Sequence, residues 1–208
     1  ALIGMVFGAL GSGPMADRFG RKVVLVSAVF LFGLFSLISA FSANLEQLLV
    51  LRFLTGLGLG AAMPNATTLL SEYTPERLKS LLVTSMFCGF NLGMASGGFV
   101  SASMIPAYGW HSLLLLGGVL PLVLAVVLLL WLPESARFLV VRNKGTEKVR
   151  KTLQPIAPAE VAVATGFSVP EQKTVQSRNV FQVIFSGTYS AGTLLLWLTY
   201  FMGLVIVY

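Results

Sequence analysis

Long apolar runs with almost no charge recur along the chain, and they constrain its fold more than any other feature. A helix needs about 20 apolar residues to cross the roughly 30 Å hydrocarbon core of a bilayer. Six segments approach or exceed that length: 1–16, 23–41, 48–70, 81–105, 112–132 and 186–208. Charged residues make up only 11% of the chain, against about 25% in soluble domains. The sequence therefore predicts an all-α membrane protein with six transmembrane spans, of which the first and last are truncated parts of a longer protein.

The basic residues are distributed unevenly between the connections that join these spans. Thirteen of the 14 Lys and Arg residues lie in segments 17–22, 72–79 and 133–185, whereas segments 42–47 and 106–111 contain none. Basic loops remain on the cytoplasmic side of a membrane. We therefore predict that the three basic segments are cytoplasmic. The net charge of +6 then reflects topology and attraction to anionic lipid, and no nucleic-acid partner is expected.

Residues that carry covalent or metal chemistry are scarce. The single cysteine, Cys88, lies within an apolar run, and the single histidine, His111, lies at the predicted outer interface, far from Ser12 near the inner one. A nucleophile and its base must lie within hydrogen-bond reach of each other. We expect no enzyme, no metal site and no cofactor. An intramembrane enzyme remains the remote alternative.

The short connection after the first run contains the most specific motif. Residues 13–22 read GPMADRFGRK, and this segment resembles the G-x-x-x-D-R-x-G-R-K signature of the major facilitator superfamily. The signature positions are Gly13, Asp17, Arg18, Gly20, Arg21 and Lys22. Glycine permits the sharp reversal, and the aspartate can meet helix N-termini or guanidinium groups. The alternative is an ordinary basic loop that stops membrane insertion.

Two further motifs follow in the order and spacing of the sugar-porter and organic-ion branches of that superfamily. They are RFLTGLGLG at 52–60, followed by EYTP at 72–75 and Lys79, and PESARFL at 133–139. Segments 63–73 and 105–111 are similar to the aromatic acid:proton symporter family. The resemblance implies helices two to seven of a twelve-helix fold. Residues 1–132 then belong to the N-terminal six-helix bundle, 133–185 to a cytoplasmic central loop, and 186–208 to the start of the C-terminal bundle.

The resemblance also implies a function. Members of this family import aromatic carboxylates such as 4-hydroxybenzoate or protocatechuate by proton symport across the bacterial inner membrane. The expected partners are the aromatic acid, protons and lipid, the driving force is the proton gradient, and the expected state is a monomer. The alternatives are a porter for another organic acid, a sugar or an organic cation, and a receptor-like sensor built on a transporter fold.

Arg52 is the one charged residue within a predicted span, and it is the first candidate for substrate binding or coupling. Charges inside a bilayer are costly and usually face the bundle interior. Arg52 shares a helical face with Gly56 and Gly60, which suit close helix packing. It also lies near enough to the outer end to snorkel to the surface. Asn65 and Asn91 are the further candidates, with core packing as the alternative for Asn91.

Charged residues lie at the predicted inner ends of the spans, and the resemblance implies a gate there, because the related porters pair such residues in a charge network. The gate and signature residues are Gly13, Asp17, Arg18, Gly20, Arg21, Glu72, Lys79, Glu134 and Arg137. We expect Glu72 to pair with Arg21 or Arg18, and Glu134 to pair with Arg77 or Lys79. Exposed pairs contribute only about 0–1 kcal/mol each. Their expected role is therefore to bias the gate between two states.

Overall fold

The computed structural model describes residues 1–141, 149–150 and 190–207, and within these ranges every regular element is a helix. The helices are α1 (Leu2–Phe19), α2 (Arg21–Ser39), α3 (Leu45–Tyr73), α4 (Glu76–Tyr108), α5 (Trp110–Trp131), the short α6 (Ala136–Val141) and α7 (Ser190–Val207). The chain divides into two compact units, 1–168 and 169–208. Helices α1 to α6 belong to the first unit and α7 to the second. Most of the predicted central loop lies outside the described residues.

Four helices of the described part, α2 to α5, are long and apolar enough to cross a membrane. They correspond to the four complete spans predicted from the sequence. Helices α1 and α7 have 18 residues each, and their crossing of the membrane stays a prediction. Helices α3 and α4 extend beyond the predicted apolar runs, because a helix can continue past the hydrocarbon core until a proline or a glycine ends it. Pro75 separates α3 from α4, and Gly109, with φ +76°, separates α4 from α5.

Helix α3 lies between α1 and α2 and contacts each of them through glycine. A Cβ atom at Gly56 would lie about 2 Å from the backbone oxygen of Ala1, which directly precedes α1, and a Cβ atom at Gly60 would lie about 2 Å from that of Met5 in α1. A Cβ atom at Gly58 would lie 2.7 Å from the backbone oxygen of Ala28 in α2. Residues two apart on a helix point in nearly opposite directions. The alternating glycines therefore let α3 pack backbone to backbone on two sides, and the predicted packing role of Gly56 and Gly60 is confirmed.

The apolar core lies where α2, α3 and α5 meet. Leu25 and Val29 of α2, Leu69 of α3 and Ala125 of α5 are buried together. Helices α2 and α5 also approach closely, since a Cβ atom at Gly118 would lie 2.7 Å from atoms of Leu37. The buried cluster joins α3 to α2 and α5, and the Gly118 contact joins α2 to α5.

Helix α4 is the least covered of the long helices, and no residue within it is buried. A Cβ atom at Gly89, Gly93 or Gly97 would meet no atom within 4 Å among the described residues. The four-residue spacing of these three glycines is typical of close helix packing, but the described part of the chain places no neighbour on them. The four-residue spacing creates a flat face on α4 without determining what covers that face.

Candidate functional site

The predicted pair between Arg21 and Glu72 is present at one end of the bundle, which we call the inner end because the charge distribution predicts that it is cytoplasmic. Arg21 is the first residue of α2, and Glu72 is the second-last residue of α3. Nη1 of Arg21 lies 3.0 Å from Oε1 of Glu72. Both side chains are largely covered, with exposed fractions of 16% and 14%. The pair is therefore less exposed than the sequence led us to expect. Removing one partner of such a pair is costly, because it leaves the other charge covered and uncompensated.

Ser135 connects this pair to the segment that follows α5. Its hydroxyl donates to Oε2 of Glu72 at 2.5 Å and accepts from the backbone N–H of Phe138 at 3.1 Å. The second bond places Ser135 at the N-cap of α6. The side chain is fully buried. One hydroxyl thus links α3 to the start of α6, and this residue was not among the predicted site residues.

Glu134 contacts backbone amides near the start of α2. Its Oε1 accepts from the backbone N–H of Lys22 at 3.0 Å and from that of Ser135 at 2.9 Å. The first N–H groups of a helix have no partner within the helix and attract anions. The predicted pairing of Glu134 with Arg77 or Lys79 is wrong. Nζ of Lys79 lies 3.3 Å from Oε1 of Glu76 within α4, and among the described residues no ion pair joins Glu134 to Arg77. Glu134 instead binds the backbone amide of Lys22 in α2.

Gly20 makes room for this carboxylate. Its φ of +104° is in the region that favours glycine. A Cβ atom at this position would lie 2.5 Å from Oε2 of Glu134. The glycine of the signature therefore has two functions, since it reverses the chain between α1 and α2 and opens the space that Glu134 enters. The hydroxyl of Tyr73 adds a further link by donating to the backbone oxygen of Glu134.

The other signature residues lie around this cluster. Asp17 is exposed, with Oδ1 at 3.9 Å from Nη2 of Arg21. The guanidinium carbon of Arg18 lies 5.5 Å from the ring centroid of Phe19, and Arg137 is exposed on α6. Gly13 is exposed, and a Cβ atom there would meet nothing within 4 Å among the described residues.

Arg52 lies apart from this inner cluster, towards the other end of α3. It is half-buried and precedes Gly56 by one helical turn. Gly56 faces the backbone of Ala1, so Arg52 emerges on the side of α3 that faces α1. Among the described residues, the guanidinium of Arg52 has no hydrogen bond or ion pair. A half-buried cation of this kind is suited to bind an anion that arrives from outside the described structure.

The structure does not bring the three predicted substrate residues together. Asn65 is buried and donates to the backbone oxygen of Ala61, while Asn91 is exposed on α4 and donates to that of Phe87. Arg52 and Asn65 are thirteen residues apart on one helix, which separates them by about 20 Å along its axis. One small carboxylate therefore cannot contact both side chains at the same time. The exposed Asn91 keeps a second amide proton that a ligand could reach, whereas Asn65 is buried.

These features define a multi-pass membrane protein with a network of polar contacts at one end of its helix bundle. Among the residues that the structure describes, no cluster of three or more His, Cys, Asp or Glu side chains could hold a metal ion. The chain belongs to the Major Facilitator Superfamily, whose family model matches residues 1–208.

Individual relatives are similar over the same length. The chain is 85% identical to the 4-hydroxybenzoate transporter PcaK of Pseudomonas aeruginosa over all 208 residues, which are 46% of that relative. It is 51% identical to the gallate transporter of Pseudomonas putida, again over the whole chain and 46% of the relative. The chain thus spans about half the length of these curated relatives. Among solved structures, the chain is similar to the inward-open xylose transporter XylE from E. coli, with a TM-score of 0.62 and 24% identity. The match covers 77% of this chain and 41% of XylE. This likeness supports the fold alone.

Proposed function

We propose that the protein imports aromatic carboxylates, such as 4-hydroxybenzoate or protocatechuate, by proton symport across the bacterial inner membrane. The observation that carries this proposal is the 85% identity to a relative named as a 4-hydroxybenzoate transporter. The relative at 51% identity is named for gallate, which is also a hydroxylated benzoate. The proposed process moves a substrate without covalent change, needs no cofactor beyond the proton gradient, and is carried out by a monomer.

Arg52 is the residue of this chain that best fits an aromatic carboxylate. A carboxylate that leaves water for a site of low polarity needs a compensating positive charge. Arginine can donate two parallel hydrogen bonds to one carboxylate, whereas lysine offers a point charge. Arg52 is half-buried and has no ion pair among the described residues. We therefore assign to Arg52 the binding of the substrate carboxylate or of an acidic coupling partner.

The inner cluster serves as a gate in this proposal. Arg21 and Glu72 join α2 to α3, while Ser135 and Glu134 join both helices to the segment before α6. If one of these elements moves away, several polar contacts are lost together. A set of contacts made in one state and broken in another shifts the equilibrium between the two states. The cluster therefore favours the state in which the inner ends of α2, α3 and α6 remain together.

Uptake of labelled 4-hydroxybenzoate by vesicles that contain the intact protein tests the proposal. We expect uptake that requires an inward proton gradient, stops when an uncoupler collapses that gradient, and is inhibited by unlabelled protocatechuate but not by xylose. Inhibition by xylose or by an organic cation would support another porter. Binding without accumulation would indicate a sensor, and chemical conversion of the substrate would indicate an enzyme. Each of these three outcomes contradicts the proposal.

Substitution of Arg52 tests its assigned role within the same assay. A hydrogen bond to a charged group contributes about 1.5–3 kcal/mol, so Arg52→Gln should lower the uptake rate at low substrate about 10- to 150-fold. Arg52→Lys should retain some uptake but less than the wild type. The exposed Arg77 of α4 provides the control, because Arg77→Gln removes one positive charge elsewhere. Normal uptake by Arg52→Gln at equal membrane abundance would exclude the role.

A further inference from the structure

Tyr73 links the apolar core of the bundle to the inner cluster. It is the last residue of α3 and directly follows Glu72. Its ring is partly buried and packs against the core that α2, α3 and α5 form. Its hydroxyl donates to the backbone oxygen of Glu134 in the segment after α5. The two ends of one side chain therefore have different partners, since the ring packs in the core and the hydroxyl binds the segment.

Two adjacent residues of α3 bind two adjacent residues of that segment. The carboxylate of Glu72 accepts from the hydroxyl of Ser135 at 2.5 Å, and the hydroxyl of Tyr73 donates to the backbone of Glu134. A segment held by one hydrogen bond can rotate about it, whereas two bonds side by side fix its orientation. In this orientation the carboxylate of Glu134 accepts from the backbone N–H of Lys22. The bond from Tyr73 thus holds the backbone from which Glu134 and Ser135 reach α2 and α3.

The bond from Tyr73 differs in character from those of Glu72 and Glu134. A phenol hydroxyl and a backbone oxygen are both uncharged, whereas the contacts of Glu72 and Glu134 described above involve a carboxylate. Contacts between charged groups weaken as ionic strength rises, and a bond between neutral groups does not. Packing of the ring also fixes the hydroxyl before the segment binds, so little conformational freedom is lost when the bond forms. The hydroxyl is therefore a pre-positioned donor whose strength does not vary with salt.

We propose that Tyr73 is a positioning residue of the inner gate. Its hydroxyl holds the segment 134–135 in the orientation in which Glu134 binds α2 and Ser135 binds Glu72. This inference rests on the gate that the proposed function assigns to the inner cluster, and it adds an uncharged residue to that gate. Without the hydroxyl, the ring still fills the core, but the segment leaves its place more often.

Distances between spin labels in the intact purified protein test the proposal without any substrate. In a background with Cys88 replaced by Ser, labels at the exposed Phe30 of α2 and Val141 of α6 report whether the segment stays bound. The labelled parent should show one main distance. In Tyr73→Phe, the ratio of displaced to bound segments should rise about 2- to 12-fold, as expected for the loss of one neutral hydrogen bond. If Tyr73→Phe has the same distance distribution as the parent, the hydroxyl does not hold the segment and the proposal is wrong.

Two variants separate the hydroxyl from the ring. Tyr73→Leu removes both, so it should displace the segment and also lower the unfolding temperature, because the core loses an aromatic ring. Tyr73→Phe keeps the ring and should unfold close to the temperature of the wild type. If only Tyr73→Leu displaces the segment, Tyr73 serves core packing alone, which contradicts the proposal.

The matched control is Tyr108→Phe. It removes the same hydroxyl from an exposed residue at the far end of α4. It should leave the distance between the labels unchanged. Displacement equal to that in Tyr73→Phe would show that the effect does not come from the bond to Glu134, and the proposal would be excluded.

Combination with Ser135→Ala tests whether Tyr73 positions its neighbour. The alanine removes the hydroxyl that binds Glu72, and it should displace the segment when Tyr73 is intact. When Tyr73→Phe has already misplaced Ser135, the same change should have a smaller effect. Equal fold-changes in the two backgrounds would show that the two hydroxyls act independently, and positioning by Tyr73 would then be excluded.

Uptake measurements keep this inference apart from the proposed function. Tyr73→Phe should lower the maximal rate of 4-hydroxybenzoate uptake and leave its KM nearly unchanged, since a gate residue does not bind the substrate. A change in KM alone would place Tyr73 at the substrate site and contradict the proposal. If the wild type takes up no 4-hydroxybenzoate, the proposed function fails, and the spin-label distances still decide the role of Tyr73 because they need no substrate.

Discussion

Glu72→Gln is the substitution that most directly tests the inner cluster as a gate. Glutamine has nearly the same shape as glutamate, and its side-chain oxygen can still accept from the hydroxyl of Ser135. The change therefore removes the negative charge opposite Arg21 while leaving the hydrogen bond to Ser135 in place. Arg21 then keeps its charge in a site where only 16% of its side chain is exposed.

The magnitude follows from the burial of the pair. Exposed ion pairs contribute about 0–1 kcal/mol, and breaking a fully buried pair costs about 3–5 kcal/mol. Arg21 and Glu72, at 16% and 14% exposure, lie between these limits, so we estimate about 2 kcal/mol, or about 30-fold in the equilibrium between the two gate states. We expect uptake to fall by a similar factor if that equilibrium limits transport.

A double-mutant cycle measures the coupling. Arg21→Gln, Glu72→Gln and the double variant are compared with the wild type for uptake and for thermal unfolding of the purified protein. If the pair acts as a unit, the double variant should be little worse than either single variant, with a coupling energy of about 2 kcal/mol. Glu76→Gln is the matched control, because it breaks the exposed pair with Lys79 at the start of α4.

The reasoning would be refuted by additive effects, with a coupling energy below about 0.5 kcal/mol. It would also be refuted if Glu72→Gln transported as well as Glu76→Gln at equal abundance. A third outcome, in which Glu72→Gln lowers uptake only because the protein disappears from the membrane, would assign the pair to stability alone.

The remaining predictions concern backbone geometry and topology. Gly20→Ala should destabilise the protein by about 1–3 kcal/mol, since its φ of +104° strains any other residue, and an unchanged unfolding temperature would contradict this. Gly8→Ala should separate α1 from α3, because its Cβ atom would lie 2.1 Å from a backbone oxygen of α3; normal stability would exclude that contact. In a background without Cys88, single cysteines at Asn44 and Tyr108 should react with an impermeant thiol reagent from outside, and labelling only from inside would reverse the orientation.

The sequence predicted that Glu72 pairs with Arg21 or Arg18, because the predicted topology brings these residues together and because the related porters pair such residues. The charge distribution assigns all three residues to the inner ends of their spans. Similarly, the four-residue spacing of Gly56 and Gly60 predicted a packing face on α3, whereas the same spacing on α4 has no neighbour among the described residues. Such predictions succeed because they depend on helix periodicity and on which side of the membrane a residue lies.

The partner of Glu134 could not be predicted in the same way. Counting side-chain charges pointed to Arg77 or Lys79, whereas the carboxylate binds the backbone N–H groups of Lys22 and Ser135. The first N–H groups of a helix are free in every sequence, so no sequence pattern shows which distant residue will bind them. The signal available was Gly20, whose missing side chain leaves room for a group from another element.

The same reasoning explains why Ser135 was missed although the motif PESARFL was recognised. Serine is common and uncharged, so a pattern-based prediction gives weight to its neighbours Glu134 and Arg137. In the structure Ser135 is fully buried and binds both Glu72 and the start of α6. A short polar side chain can satisfy two partners only where the backbone already brings them close. That proximity is a property of tertiary structure.

The arrangement of glycines explains how α3 can carry both a residue of the proposed gate and the proposed substrate-binding residue. At its inner end, α3 positions Glu72 against Arg21. Towards its outer end it presents Arg52 on the face that packs against α1 through Gly56 and Gly60. Close backbone contact leaves little freedom for α3 to slide relative to α1 without losing the fit at each glycine. A displacement of α3 at one end is therefore transmitted along its length, and we expect the proposed carboxylate site and the inner cluster to respond together.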